Sequence, residues 1–102
     1  MSDIYAISNA ELVMTMGRNF KNYRVQCHLT QVELAEQSGV SVASIRNFEN
    51  GKSTNISMQM LLSLMRAVGQ LEQITQVLPE LPPNPADLYK KKIVVKRVRH
   101  GK

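Results

Sequence analysis

The sequence predicts an all-α fold of five helices with a flexible basic C-terminal tail. Three observations predict it. Apolar residues recur at threes and fours through most of the first 78 positions, the spacing of helices buried along one side. Ser or Thr stands before most of these segments and Gly after several, where helix caps need them. The basic charge is concentrated at one end: Lys90, Lys91, Lys92, Lys96, Arg97, Arg99 and Lys102 are seven of the 13 Lys and Arg, and residues 90–102 hold no acid. Residues 1–89 carry six basic and eight acidic residues, a net charge of −2.

Residues 1–9 form a lead, in which Asp3-Ile4-Tyr5-Ala6-Ile7 alternates weakly and is compatible with an extended segment. A first helix is expected from about Ala10 to Cys27. Ser8 or Asn9 caps it, Glu11 suits the positive end of its dipole, and Leu12, Val13, Met16, Phe20, Tyr23 and Cys27 form its apolar stripe. Gly17 lies inside it, costs about 1 kcal/mol relative to Ala, and is expected to weaken the helix or mark its entry. Thr30 and Glu33 have the T-x-x-E spacing of a capping box at the start of a second helix. Gly39 supplies a turn that needs positive φ, and Val40 is expected to be buried between the second and third helices. Ser41 caps the third helix, whose Ile45 and Phe48 face the core and whose end is marked by Asn50-Gly51. Ser57 starts a fourth helix running to about Val68, before Gly69. Leu71, Ile74, Val77 and Leu78 suggest a short fifth helix, with a strand as the alternative because Ile74, Thr75 and Val77 are β-branched. The helical domain is thus expected over 10–78. Residues 79–89, with Leu81-Pro82-Pro83-Asn84-Pro85, read as an extended linker, and 90–102 as the basic tail.

Several classes of function fall away on composition. No run of 18 apolar residues is present, and the first dozen residues have neither a basic nor an apolar signal region. Cys27 is the sole cysteine, and a reduced, partly buried helical thiol in a cytoplasmic protein is the reading it supports. His28 and His100 lack partners at metal-ligand spacing, and no cofactor is implied. No Ser, His and acid set or Gly-rich phosphate loop occurs, so no enzymatic activity is expected.

The stretch Leu29–Lys52 is two short helices around a Gly turn, a helix-turn-helix. Its second helix has a core-facing side and a small, polar side, which suits insertion into the major groove of double-stranded DNA. On that arrangement Val42, Ala43, Ser44, Arg46 and Asn47 meet base edges. Asn bonds adenine N6 and N7 together, Arg bonds guanine O6 and N7, and Val or Ala touches a thymine methyl. Gln31, at a helix N-terminus, is placed to bond a phosphate, as are Lys52 and Ser53 just beyond the third helix. Arg24 and Glu49 are expected to form a partly buried ion pair that fixes the third helix, which removes Arg24 from the DNA contacts.

Leu29-Thr30-Gln31-x-Glu33-Leu34-Ala35-x-x-x-Gly39-Val40-Ser41-x-x-x-Ile45-x-x-x-Glu49-x-Gly51-Lys52 resembles the Cro/C1-type helix-turn-helix, or XRE, family. The resemblance spans about residues 16–70. It implies a five-helix domain that binds operator DNA as a homodimer, with base readers at Val42, Ala43, Ser44 and Asn47, and it supports the Arg24–Glu49 pair. Val42 and Ala43 depart from the polar readers common in relatives. Ile4-Tyr5 and the segment Arg46-Asn47-Phe48-Glu49-Asn50 are similar to HipB-type antitoxins, which repress their own operon and bind a HipA-like kinase toxin. A stand-alone regulator and a protein-interaction module that no longer reads DNA are the alternatives. The tail either grips phosphates, contacts an acidic partner groove or only solubilises the chain. Leu71, Ile74 and Leu78 are the expected dimer contacts.

Overall fold

The structure, a computed structural model, describes residues 3–83. Within them the order is a 3-10 turn (Ile4–Ala6), α1 (Asn9–Gln26), α2 (Gln31–Ser38), α3 (Val42–Glu49), α4 (Met58–Ala67) and a 3-10 helix (Leu71–Gln76). The third helix packs on both α1 and α2, α2 also packs on α4, and α4 meets the 3-10 helix that follows it. The Pro-rich linker from Asn84 onward and the basic tail lie outside the described residues.

Each α-helix starts where a hydroxyl satisfies an otherwise unpaired N–H. Ser8 accepts from Glu11 N–H, Thr30 from Glu33 N–H, Ser41 from Ser44 N–H and Ser57 from Met60 N–H, all at 3.0–3.1 Å. At α2 the box is reciprocal, since the Glu33 carboxylate accepts from Thr30 N–H at 2.9 Å. Three of the four α-helices also end alike. After α3, Gly51 N–H reaches Phe48 O (3.3 Å) and Lys52 N–H reaches Asn47 O (2.9 Å), a Schellman motif with Gly51 at φ 73°. The same pair of bonds closes α4 and, unexpectedly, α1, where the left-handed position is His28 at φ 60°.

The core takes at least one residue from every α-helix. Phe20 comes from α1, Leu34 from α2, Ile45 and Phe48 from α3 and Leu64 from α4, with Val68 just past α4. Leu34, Ile45, Phe48 and Leu64 are completely buried, and each such burial is worth about 1.5–3 kcal/mol. The Phe20 and Phe48 rings lie 5.7 Å apart and tilted by 38°, within the favourable range for aromatic pairs.

Three local expectations change and a fourth is refined. The lead is not extended over Ile4–Ala6: the Asp3 carboxylate accepts from Tyr5 N–H at 3.0 Å and winds it into a turn. The segment after Gly69 is the expected short fifth helix and not the alternative strand, but it is a 3-10 helix and ends at Gln76. Cys27 falls beyond α1 and is exposed, with its thiol donating to Val68 O at 3.6 Å. The largest change concerns Gly17, which is buried in an uninterrupted α1. A Cβ there would lie 1.9 Å from Phe48 O. Glycine allows α1 and α3 to touch backbone to backbone, so its weak helix propensity is outweighed by a contact no other residue permits.

Candidate nucleic-acid interface

The site is organised by the way α3 is held. Its inner side is Ile45, Phe48 and Glu49, all buried. Two short constraints fix its ends. Gly39, at φ 77°, donates to Ala35 O at 2.9 Å and turns the chain out of α2 within three residues of Val42. At the other end, Asn47 O accepts from both Lys52 and Ser53 N–H at 2.9 and 3.2 Å.

A buried ion pair anchors α3 to α1. Arg24 and Glu49 meet side to side, with Nε–Oε2 at 2.7 Å and Nη2–Oε1 at 2.9 Å. The third guanidinium nitrogen, Nη1, donates to Leu29 O at 2.8 Å. Gln31 Nε2 donates to Glu49 Oε1 at 3.1 Å. The four groups form one network joining the end of α1, the start of α2 and the end of α3. The bond from Glu49 raises the Arg24 pKa above its ordinary value, burial opposes this, and the charge of Glu49 adds to the rise. A fork-to-fork pair of this kind fixes both distance and plane, which a single hydrogen bond does not.

With the inner side fixed, the outer side follows from the 100° helical step. Ala43, Arg46 and Asn47 are exposed, and Val42 and Ser44 are half-buried. Lys52 is exposed and Ser53 half-buried beside the end of α3. Gln31 is half-buried at the start of α2, with its amide nitrogen engaged by Glu49. The structure therefore brings Lys52 and Ser53 to Asn47, and Gln31 to the Arg24–Glu49 pair. Among the described residues Arg46 has no carboxylate partner, and its charge is carried free on the outer side. Sequence reasoning missed three features. The Gln31–Glu49 bond and the Arg24–Leu29 bond join residues with no shared local pattern. Gly17 had a signal, a glycine on the same helical stripe as the core residue Phe20, three positions away.

A groove of about 220 Å³ opens between α1, α4 and the 3-10 helix, lined by Met16, Phe20, Tyr23, Leu61, Met65 and Val68 among others. It lies where the apolar stripe of α1 is incompletely covered, leaving Met16 and Tyr23 exposed. Among the described residues no helix is long and apolar enough to cross a membrane.

A comparison with curated proteins returns no match. Residues 20–72 match the helix-turn-helix family HTH_3, and this span contains α2, the Gly39 turn, α3 and α4 in full. That match covers just over half of the chain, and its limits enclose the ion-pair network and every candidate base-facing residue. The chain belongs to the HTH_3 helix-turn-helix family, a family of DNA-binding domains.

Proposed function

We propose that the protein is a sequence-specific transcriptional repressor that binds an operator as a homodimer with α3 in the major groove. The observation that carries this reading is the division of α3. One side is fixed to the core and the Arg24–Glu49 pair, and the other presents Val42, Ala43, Ser44, Arg46 and Asn47. Lys52, Ser53 and the remaining amide N–H of Gln31 contact phosphates and set the register, while the side chains of α3 read bases. Dimerisation runs through Leu71, Ile74 and Leu78. Leu78 is 90% exposed, a large apolar surface for a chain to leave in water. A two-fold dimer of this kind reads half-sites about 34 Å apart.

The finer reading is that the repressor is the antitoxin of a type II toxin-antitoxin module. It autoregulates its operon and binds a HipA-like kinase toxin. The similarity of Ile4-Tyr5 and Arg46–Asn50 to HipB-type antitoxins supports it, and Tyr5 is 94% exposed and free to meet a partner. A gel shift and footprint of the full chain on the DNA upstream of its own gene test the repressor reading. A salt-sensitive, sequence-selective footprint is expected, and equal binding to unrelated DNA of the same length overturns it. Co-expression with the neighbouring gene tests the antitoxin reading. Capture of a kinase-like protein whose toxicity the chain suppresses is expected, and a neighbour that neither binds nor harms the cell overturns it.

A further inference from the structure

We propose that α3 selects its operator mainly through thymine methyl groups, with Val42 and Ala43 packing against the C5-methyls. The inference rests on α3 being the recognition helix and names the chemistry it recognises.

The first turn of α3 has alkyl groups where a reading helix meets base edges. Ala43 is exposed and Val42 half-buried, and neither belongs to the core or to the apolar side chains packed around it. The exposed hydrocarbon of Ala43 and the outer part of Val42 are therefore left uncovered by the core. The hydroxyl of Ser41 is already engaged at the helix start: it accepts from Ser44 N–H at 3.1 Å and donates to Ser44 Oγ at 2.9 Å. The start of the helix thus presents mostly methyl groups to the groove.

In the major groove only thymine offers an apolar group. Adenine and cytosine present amino donors, and guanine presents two acceptors. An alkyl side chain pressed on a donor or acceptor strips its water and returns no hydrogen bond, which is unfavourable. Pressed on a methyl group, it removes apolar surface from water on both sides. The same two residues therefore disfavour three bases and favour the fourth. Asn47 and Arg46, one turn later and exposed, supply the directional bonds that such a surface lacks.

The test uses the full chain. Bound duplexes are selected from a random pool, and each thymine of the selected site is then replaced by deoxyuridine. That change keeps the base pair and removes only the methyl group. Affinity is expected to fall roughly fourfold for each contacted methyl. Val42→Thr, which keeps the shape but exchanges a methyl for a hydroxyl, is expected to flatten the loss at one position, and Ala43→Gly at another. A selected site indifferent to uracil at every position overturns the proposal and leaves the recognition reading intact. A uracil effect unchanged in both variants overturns the assignment to Val42 and Ala43. Failure to enrich any sequence overturns the recognition reading and the proposal with it.

Discussion

His28 occupies a backbone region that glycine fills at the ends of α3 and α4. Its side chain is exposed, so nothing it contacts in the core offsets the crowding of Cβ against the backbone. His28→Gly is therefore expected to stabilise the protein by about 0.5–1 kcal/mol, after subtracting the extra freedom glycine has when unfolded. A melting temperature that is unchanged or lower contradicts the assignment of strain. The Arg24–Glu49 pair makes the opposite prediction. Glu49→Ala leaves a buried guanidinium without its partner, and a loss of about 3 kcal/mol is expected in urea unfolding. An unchanged transition midpoint shows that the pair does not hold the fold. The pH dependence has a definite sign. Because the folded pKa of Arg24 is raised, its contribution is fully present below the ordinary guanidinium value and is lost only as pH rises through the folded value. The difference in stability between wild type and Glu49→Ala is thus expected to stay constant from neutral pH to about pH 10.

At the scale of elements, short helices are held by their ends and by one another. Eight-residue helices such as α2 and α3 are too short to be stable alone in water. Their caps remove unsatisfied N–H groups, and Leu34, Ile45 and Phe48 supply the burial. The close approach of α1 and α3 at Gly17 sets how deeply α3 sits against the domain. Gly17→Ala separates two effects of opposite sign. Helix propensity alone favours Ala by about 1 kcal/mol, whereas the Cβ would meet the Phe48 carbonyl at 1.9 Å. The clash is with backbone, which does not yield as a side-chain tip does, and overpacking of this kind costs about 1–3 kcal/mol. A net loss of stability is expected in thermal unfolding, and a gain would show that α1 and α3 do not touch there.

At the scale of the molecule, the basic charge and the proposed recognition helix are in different places. Residues 1–89 are slightly acidic in sum, while seven cations lie in 90–102. Affinity for the phosphate backbone depends on such cations, and base selection does not. Removing 90–102 is therefore expected to weaken binding to all DNA sequences by a similar factor. The salt dependence is expected to flatten as well, by about one unit of slope for each phosphate that the tail neutralises. The preferred sequence is expected to remain the same. A truncated chain with unchanged salt dependence assigns the tail to something other than DNA.

Much of this organisation is legible without coordinates, because helices are local. The apolar stripe within each helix, as at Met16 and Phe20 or Ile45 and Phe48, the caps at Ser8, Thr30, Ser41 and Ser57, and the turn at Gly39 each involve residues within a few positions of one another. The outer side of α3 follows from the same periodicity once its inner side is known. What packing decided is set by contacts between distant segments. Gly17 reads as a weak point in a helix until Phe48 O arrives 31 positions later in the chain. Gln31 reads as a helix-start phosphate contact until Glu49 Oε1 takes one of its amide hydrogens. His28 carries no local sign of a left-handed position, which the path from α1 to α2 nevertheless gives it. Propensity and period act along the chain, whereas the outcomes at Gly17 and Gln31 depend on the surface another helix brings to the residue, and that at His28 on the path the chain takes from α1 to α2.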